Sequence, residues 1–256
     1  MLFNEYGEKD KPTLLAMHGM LQKSSTIYEI LKPLAKDFRL IIPTMDGMYP
    51  NSPTFTSFAE QCRKIEEYIK QNYNGKIHGV YGVSQGATVL SELLARNNLD
   101  IETAVLDGVY VAHQGKIAAW YGVKMYNMIK KNGGKFPKSM DFVMSLMGLG
   151  EEDYEMFTCM NFTDVSEESL KNNFYENYTY RANPDLKNTD TKVYLWCGSK
   201  EPYAKKSHNI LKRYIQNYEE KIFEGLGHGQ LLLRNQDKIC SLLRGILDKF
   251  FLEENN

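Results

Sequence analysis

Over the first hundred or so residues, short apolar runs alternate with segments whose apolar positions recur every three or four residues. A compact apolar run bounded by turn residues reads as a buried strand, and the i, i+3, i+4 spacing reads as a helix with one face on a core. Thr13 to Met17 predicts a strand, and Ser24 or Ser25 can cap a helix carrying Ile27, Ile30, Leu31 and Leu34 on one side. Arg39 to Ile42 predicts the next strand, closed by Pro43. Phe55 to Tyr73 predicts a long helix with Phe58, Cys62, Ile65 and Ile69 in one stripe, stopped at Asn74-Gly75. Lys76 to about Val83 predicts a strand that passes almost without a loop into a helix from about Gln85 to Arg96, and Ile101 to Leu106 predicts a further strand. This is the pattern of βαβ units in a largely parallel sheet.

The alternation stops at Val109 and resumes after Asp190. Between them the spacing predicts helices over Lys116 to Lys131, ended by Asn132-Gly133-Gly134, over Met140 to Met147 capped by Ser139, over Glu151 to Met160, and over Glu167 to Tyr180 capped by Ser166. Methionine and aromatic residues are concentrated here. Ile117, Tyr121, Met125 and Met128 form a stripe at helical spacing, expected either to pack on the remaining structure or to line an apolar pocket. Farther on, Lys192 to Cys197 predicts a strand, Ala204 to Asn217 a helix, Lys221 to Phe223 a short strand and Gln230 to Phe251 a final helix. The expected class is α/β: a mostly parallel sheet flanked by helices, built from residues 1–108 and 191–256, with residues 109–190 inserted as a helical cap.

Composition narrows the function classes. Lys plus Arg number 31 against 32 Asp plus Glu, and the net charge of −1 argues against a nucleic-acid binder, which needs a basic field. Cys62, Cys159, Cys197 and Cys240 lie far apart with no CxxC pair, so they read as reduced thiols rather than as zinc ligands or a disulfide framework. No basic stretch followed by an apolar one opens the chain and no run approaches 18 apolar residues, so no membrane span and a cytoplasmic location are expected.

Chemistry enters at Gly82-Val83-Ser84-Gln85-Gly86, a GxSxG match between a predicted strand and a predicted helix. A sharp turn there would expose the Ser84 hydroxyl at the carboxyl edge of the sheet and aim a helix N-terminus at developing negative charge. A serine needs a base, and His228, flanked by Gly227 and Gly229 before the final helix, is the best placed of five histidines. His18 ends the first clear strand, His78 lies inside the strand before Ser84, and His113 and His208 lack supporting context. The base needs a carboxylate in turn. Glu201, directly after the strand Lys192 to Cys197, is the candidate; Asp107, in Leu106-Asp107-Gly108, competes as either the acid or a turn residue.

The order Ser84, Glu201, His228, the His18-Gly19 pair after an early strand and the helical insertion together resemble the cap-bearing branch of the α/β-hydrolase family, over nearly the whole chain. The resemblance implies an oxyanion hole from the backbone N–H groups of Met20 and Gln85, no metal or organic cofactor, and a small-molecule acyl substrate. It implies a serine carboxylesterase or thioesterase, and the methionine and aromatic stripes of the inserted segment give the expectation of an apolar acyl or aromatic group. A carbon–carbon bond hydrolase, a peptidase and a ligand-binding protein without turnover are the alternatives. Ser84 argues against the dehalogenases and epoxide hydrolases of this fold, which carry aspartate there. Three features depart from the family pattern: the acid is Glu where Asp is commoner, the segment Pro43 to Ser52 lacks an Arg-Gly-x-Gly signature, and the chain begins almost at the strand before His18, so the family's first strand or hairpin is expected to be shortened or missing.

Overall fold

The computed structural model describes residues 1–254, whose strands are β1 (Leu2–Tyr6), β2 (Thr13–Met17), β3 (Arg39–Thr44), β4 (Lys76–Val83), β5 (Asp100–Asp107), β6 (Lys192–Gly198) and β7 (Tyr218–Phe223). They join in the order β1-β3-β2-β4-β5-β6-β7. Every neighbouring pair is parallel except β1 with β3, which is antiparallel with Leu2 opposite Thr44. A strand of five residues, β1, thus precedes the first one that the apolar pattern predicts. β1 escapes the hydrophobic pattern because it is an edge strand with no fully buried residue and with Asn4 and Glu5 in its middle. Its ties are lateral: Phe3 stacks on Tyr68 at 3.8 Å and Tyr6 on Tyr28 at 3.6 Å. Because β1 pairs with β3 to its end, β3 also continues through Pro43, which does not close it.

The helices are α1 (Ser24–Leu31), α2 (Phe58–Tyr73), α3 (Gln85–Arg96), α4 (Lys116–Lys131), α5 (Asp141–Leu146), α6 (Glu167–Thr179), α7 (Pro202–Leu211), α8 (Gln230–Arg234) and α9 (Gln236–Glu254). Alternation along the strands divides the core in two. Leu15, Met17, Val80, Val193 and Leu195 pack with the Phe58, Cys62, Ile65 and Ile69 stripe of α2 and with α3. Leu14, Ala16, Tyr81, Tyr194 and Trp196 pack on the other face with α1 and α9. Cys62, Cys197 and Cys240 are buried free thiols; the side chains of Cys159 and Ser139 lie outside the described part. No helix among the described residues is long and apolar enough to cross a membrane.

Several helix boundaries differ from the pattern for local reasons. Ser57 caps α2 by accepting the Glu60 N–H at 3.1 Å, three residues after the expected start. Neither Ser24 nor Ser25 caps α1: the Ser24 hydroxyl accepts from Asn4 Nδ2 at 2.9 Å, which ties the helix to β1. The final helix divides at Asn235 into α8 and α9.

Residues 109–190 leave the sheet between β5 and β6 and carry α4, α5 and α6 with short 3-10 segments, one of them over Glu151–Cys159 where an α-helix was expected. The Ile117, Tyr121, Met125, Met128 stripe is not the packing face, since Ile117 is 84% exposed. α4 buries Ala119, Val123, Tyr126 and Ile129, with Met125 beside them. The reason is Gly122: a Cβ there would stand 2.5 Å from the Phe174 ring of α6, so the small residue fixes which side of α4 meets α6. An apolar count does not register that advantage, because α4 carries apolar residues all round.

Candidate active site

The turn from β4 into α3 places Ser84 at φ 55°, ψ −120°, a conformation costly for any residue with a Cβ. It is held there from both sides. The Ser84 N–H donates to the Asp107 carbonyl of β5 at 2.8 Å, and its carbonyl accepts the Thr88 N–H at 3.1 Å. Gly82 and Gly86 make the turn possible: a Cβ on Gly82 would lie 2.6 Å from the Ala87 nitrogen, and one on Gly86 would lie 2.5 Å from the Met17 carbonyl oxygen.

Ser84 Oγ lies 2.8 Å from His228 Nε2, and His228 Nδ1 lies 2.6 Å from Glu201 Oε2. An ionised carboxylate only accepts, so Nδ1 carries the proton and Nε2 is left to accept from the serine hydroxyl. Glu201 is 2% exposed and its second oxygen accepts the Gly198 N–H at 2.6 Å, which locks the carboxylate plane at the end of β6. The ring of Tyr110 lies beside the imidazole with centroids 4.8 Å apart. The His228 N–H donates to the Met147 carbonyl at 2.9 Å, so the insertion itself holds the histidine loop. Asp153 of the insertion adds a second tie, accepting from Gln230 Nε2 at 2.7 Å while Gln230 Oε1 accepts the Gly227 N–H at 2.8 Å.

The competing carboxylate has a different place. Asp107 accepts from the Tyr81 hydroxyl at 3.1 Å inside the sheet. Burial, reinforced by the nearby Glu201 charge and opposed by the Tyr81 hydrogen bond, pushes its pKa up to about 7. The following Gly108 passes under the imidazole, where a Cβ would lie 2.9 Å from His228 Nδ1. Asp-Gly is thus more than a turn signal here, because the absent side chain leaves room for the ring.

The other histidines stand elsewhere. Buried His18 bridges two backbones: Nε2 accepts the Met45 N–H at 3.1 Å, so Nδ1 bears the proton and donates to the Gly19 carbonyl at 2.7 Å. Burial lowers its pKa to about 4, against the Gly19 hydrogen bond, which raises it. It therefore stays neutral and fixes the loop that carries Met20. His78 pairs with Thr13, His113 with the Thr179 carbonyl and His208 with Glu220.

Met20 borders Ser84 and His228 on the wall of a small cavity, and Gln85 supplies the first N–H of α3 directly after Ser84. Among the described residues neither backbone N–H has an acceptor. The Gln85 side chain forms a reciprocal amide pair with Asn173 of α6, at 3.0 and 3.1 Å. Sequence reasoning did not find Asn173, Tyr110 or the Met147 carbonyl, because each reaches the site from a distant segment without a motif. A larger cavity of about 460 Å³ lies between the insertion and the sheet edge, opening onto Ser84 and His228, with Met125, Ile129, Met140, Met144 and Met160 in its wall.

At the level of sequence, no family model and no curated protein matches the chain. Solved structures do. A protein from Desulfitobacterium hafniense assigned to the α/β-hydrolase family superposes with a TM-score of 0.84 at 24% identity, covering 96% of this chain and 100% of that one. MenH from S. aureus superposes with a TM-score of 0.76 at 15% identity over 99% of both chains. An esterase from Thermogutta terrifontis gives 0.74 at 15% identity, over 97% of this chain and 93% of that one. The chain has the α/β-hydrolase fold.

Proposed function

We propose that this chain of α/β-hydrolase fold is a serine hydrolase that cleaves a carboxylic ester or thioester with an apolar acyl or aromatic group. Supporting this reading above all is the unbroken line from Ser84 Oγ through both nitrogens of His228 to Glu201, at 2.8 and 2.6 Å. The neighbours of the same fold include proteins described as esterases, which accords with it.

In the proposed reaction the Ser84 oxygen attacks the carbonyl carbon as its proton passes to His228 Nε2. The imidazolium is stabilised by Glu201, which keeps its charge throughout. The tetrahedral oxyanion takes the unpartnered N–H groups of Met20 and Gln85, with the α3 N-terminus adding a favourable field. His228 then protonates the departing alcohol or thiol, and water attacks the acyl-enzyme by the reverse sequence. Residues 109–190 act as a cap that shields the site from solvent and supplies an apolar wall.

The test is a fluorophosphonate probe followed by mass spectrometry. Wild-type protein is expected to be labelled on Ser84, and Ser84→Ala is expected to lose labelling and at least about 10⁴-fold in ester turnover. Folded wild-type protein that takes no label overturns the reading.

A further inference from the structure

The larger cavity has two ends of different chemistry. The N–H groups of Gln114 and Gly115 donate to the Tyr178 carbonyl at 2.8 and 3.0 Å, which sets the start of α4 beside the last turn of α6. At this end the wall carries Gln114, Asn177 and the tyrosines Tyr110, Tyr178 and Tyr203. The far end, about 20 Å along α4, is hydrocarbon and thioether: Met125, Ile129, Phe136, Met140 and Met144. No Lys, Arg, Asp or Glu lines either end among the described residues.

Asn173 and Asn177 lie one turn apart on the same face of α6. The Asn173 amide is closed in its pair with Gln85. Asn177, only 7% exposed, has no such partner: no hydrogen bond reaches its amide among the described residues, and its Oδ1 is a buried, unpaired acceptor. Folded proteins rarely leave a buried amide unpaired, because the lost hydration is not returned. In the wall of a cavity beside Ser84, the missing partner is best supplied by a ligand.

We infer that the cavity takes a neutral amphipathic ester, its hydrocarbon chain along the C-terminal half of α4 and a hydroxyl or amide group hydrogen-bonded to Asn177. Neutrality follows from the lining, since a carboxylate or ammonium would be buried there without a counter-charge. The placement of the ester bond at Ser84 rests on the hydrolase reading; the binding itself does not need turnover. The polar group belongs either to the alcohol half or to the acyl half, which the experiment distinguishes.

Calorimetric binding to the Ser84→Ala protein would compare 1-monooctanoylglycerol, with hydroxyls in the alcohol half, ethyl 3-hydroxyoctanoate, with one in the acyl half, and ethyl octanoate, with neither. Hydroxyl groups by themselves favour water, so tighter binding of a hydroxylated ester requires a partner in the cavity. One hydroxylated ester is expected to bind about tenfold more tightly than ethyl octanoate, the worth of one hydrogen bond to an otherwise unpaired buried group. Adding Asn177→Leu is expected to collapse that ratio towards one; if this variant does not fold, Asn177→Ala gives the same readout. Equal binding of all three esters, or a preference that survives folded Asn177 variants, overturns the inference. Fluorophosphonate labelling separates the two readings: an unlabelled Ser84 with the binding preference intact overturns the hydrolase alone, and a labelled Ser84 without the preference overturns only the ligand class.

Discussion

The carboxyl edge of the sheet and the helical wall facing it enclose one cavity, yet they are built differently. At the edge, backbone groups fix each residue of the proposed triad: Ser84 N–H on the Asp107 carbonyl, the Gly198 N–H on Glu201, and the His228 N–H on the Met147 carbonyl. Gly82, Gly86 and Gly108 leave no room for even a methyl group. The wall carries Met125, Met140, Met144, Met147 and Met160, unbranched side chains that adapt their shape, and it keeps one amide open. Bond making needs geometry held to fractions of an ångström, which backbone hydrogen bonds provide; accommodating a chain of variable length needs compliance, which thioethers provide. Met147 belongs to both, its side chain in the wall and its carbonyl on the histidine loop.

The contrast is testable, most sharply at the edge. Glu201→Ala is expected to lower kcat on p-nitrophenyl butyrate about 10²- to 10⁴-fold, while Asp107→Ala acts chiefly on stability. A near-normal Glu201→Ala enzyme with a dead but folded Asp107→Ala enzyme would reverse the two assignments. Next, Gly86→Ala is expected to destabilise by about 3 kcal/mol in urea unfolding, because the new methyl meets the carbonyls of Met17 and His18, both backbone and unable to yield. A tolerated alanine there would mean that the edge is softer than described.

Asp107 gives a smaller, pH-dependent effect. Its folded pKa of about 7 lies above the ordinary 3.8, so between those values the folded chain holds more protons than the unfolded one. Stability from this residue is fully present below about pH 4 and is lost as pH rises through 7. Asp107→Asn is therefore expected to flatten the fall in Tm over that interval by several degrees, and an unchanged slope would remove Asp107 as its source. The smallest effect belongs to the wall: Met125→Ala with Met144→Ala is expected to cut kcat/KM for octanoate esters about tenfold more than for acetate esters. Equal losses for both chain lengths would show that the wall does not read the chain.

Much of this was legible because it is local. The runs Thr13 to Met17 and Lys76 to Val83, the Phe58 to Ile69 stripe and the Asn74-Gly75 stop all depend on neighbours within a few residues, and the strands and helix form there. Ser84 was legible for the same reason, since a strand, two glycines and a helix start adjoin it in sequence. β1 was not, because an edge strand buries too little to leave an apolar signature, and its stacking partners Tyr28 and Tyr68 lie far along the chain.

Residue order alone accounts for the alternating elements, the break in their alternation after Val109 and the turn that carries Ser84. Which carboxylate meets His228 is a matter of tertiary structure, since Asp107 ends β5, Glu201 closely follows β6, and only the reach of Glu201 and the capture of Asp107 by Tyr81 tell them apart. It also decided which side of α4 is buried, through one glycine against Phe174, and which of two identical amides a turn apart is left unpaired. The physical reason is common to all three: periodicity records how much of a residue is buried, whereas its partner is set by pairing across segments that sequence order does not place together.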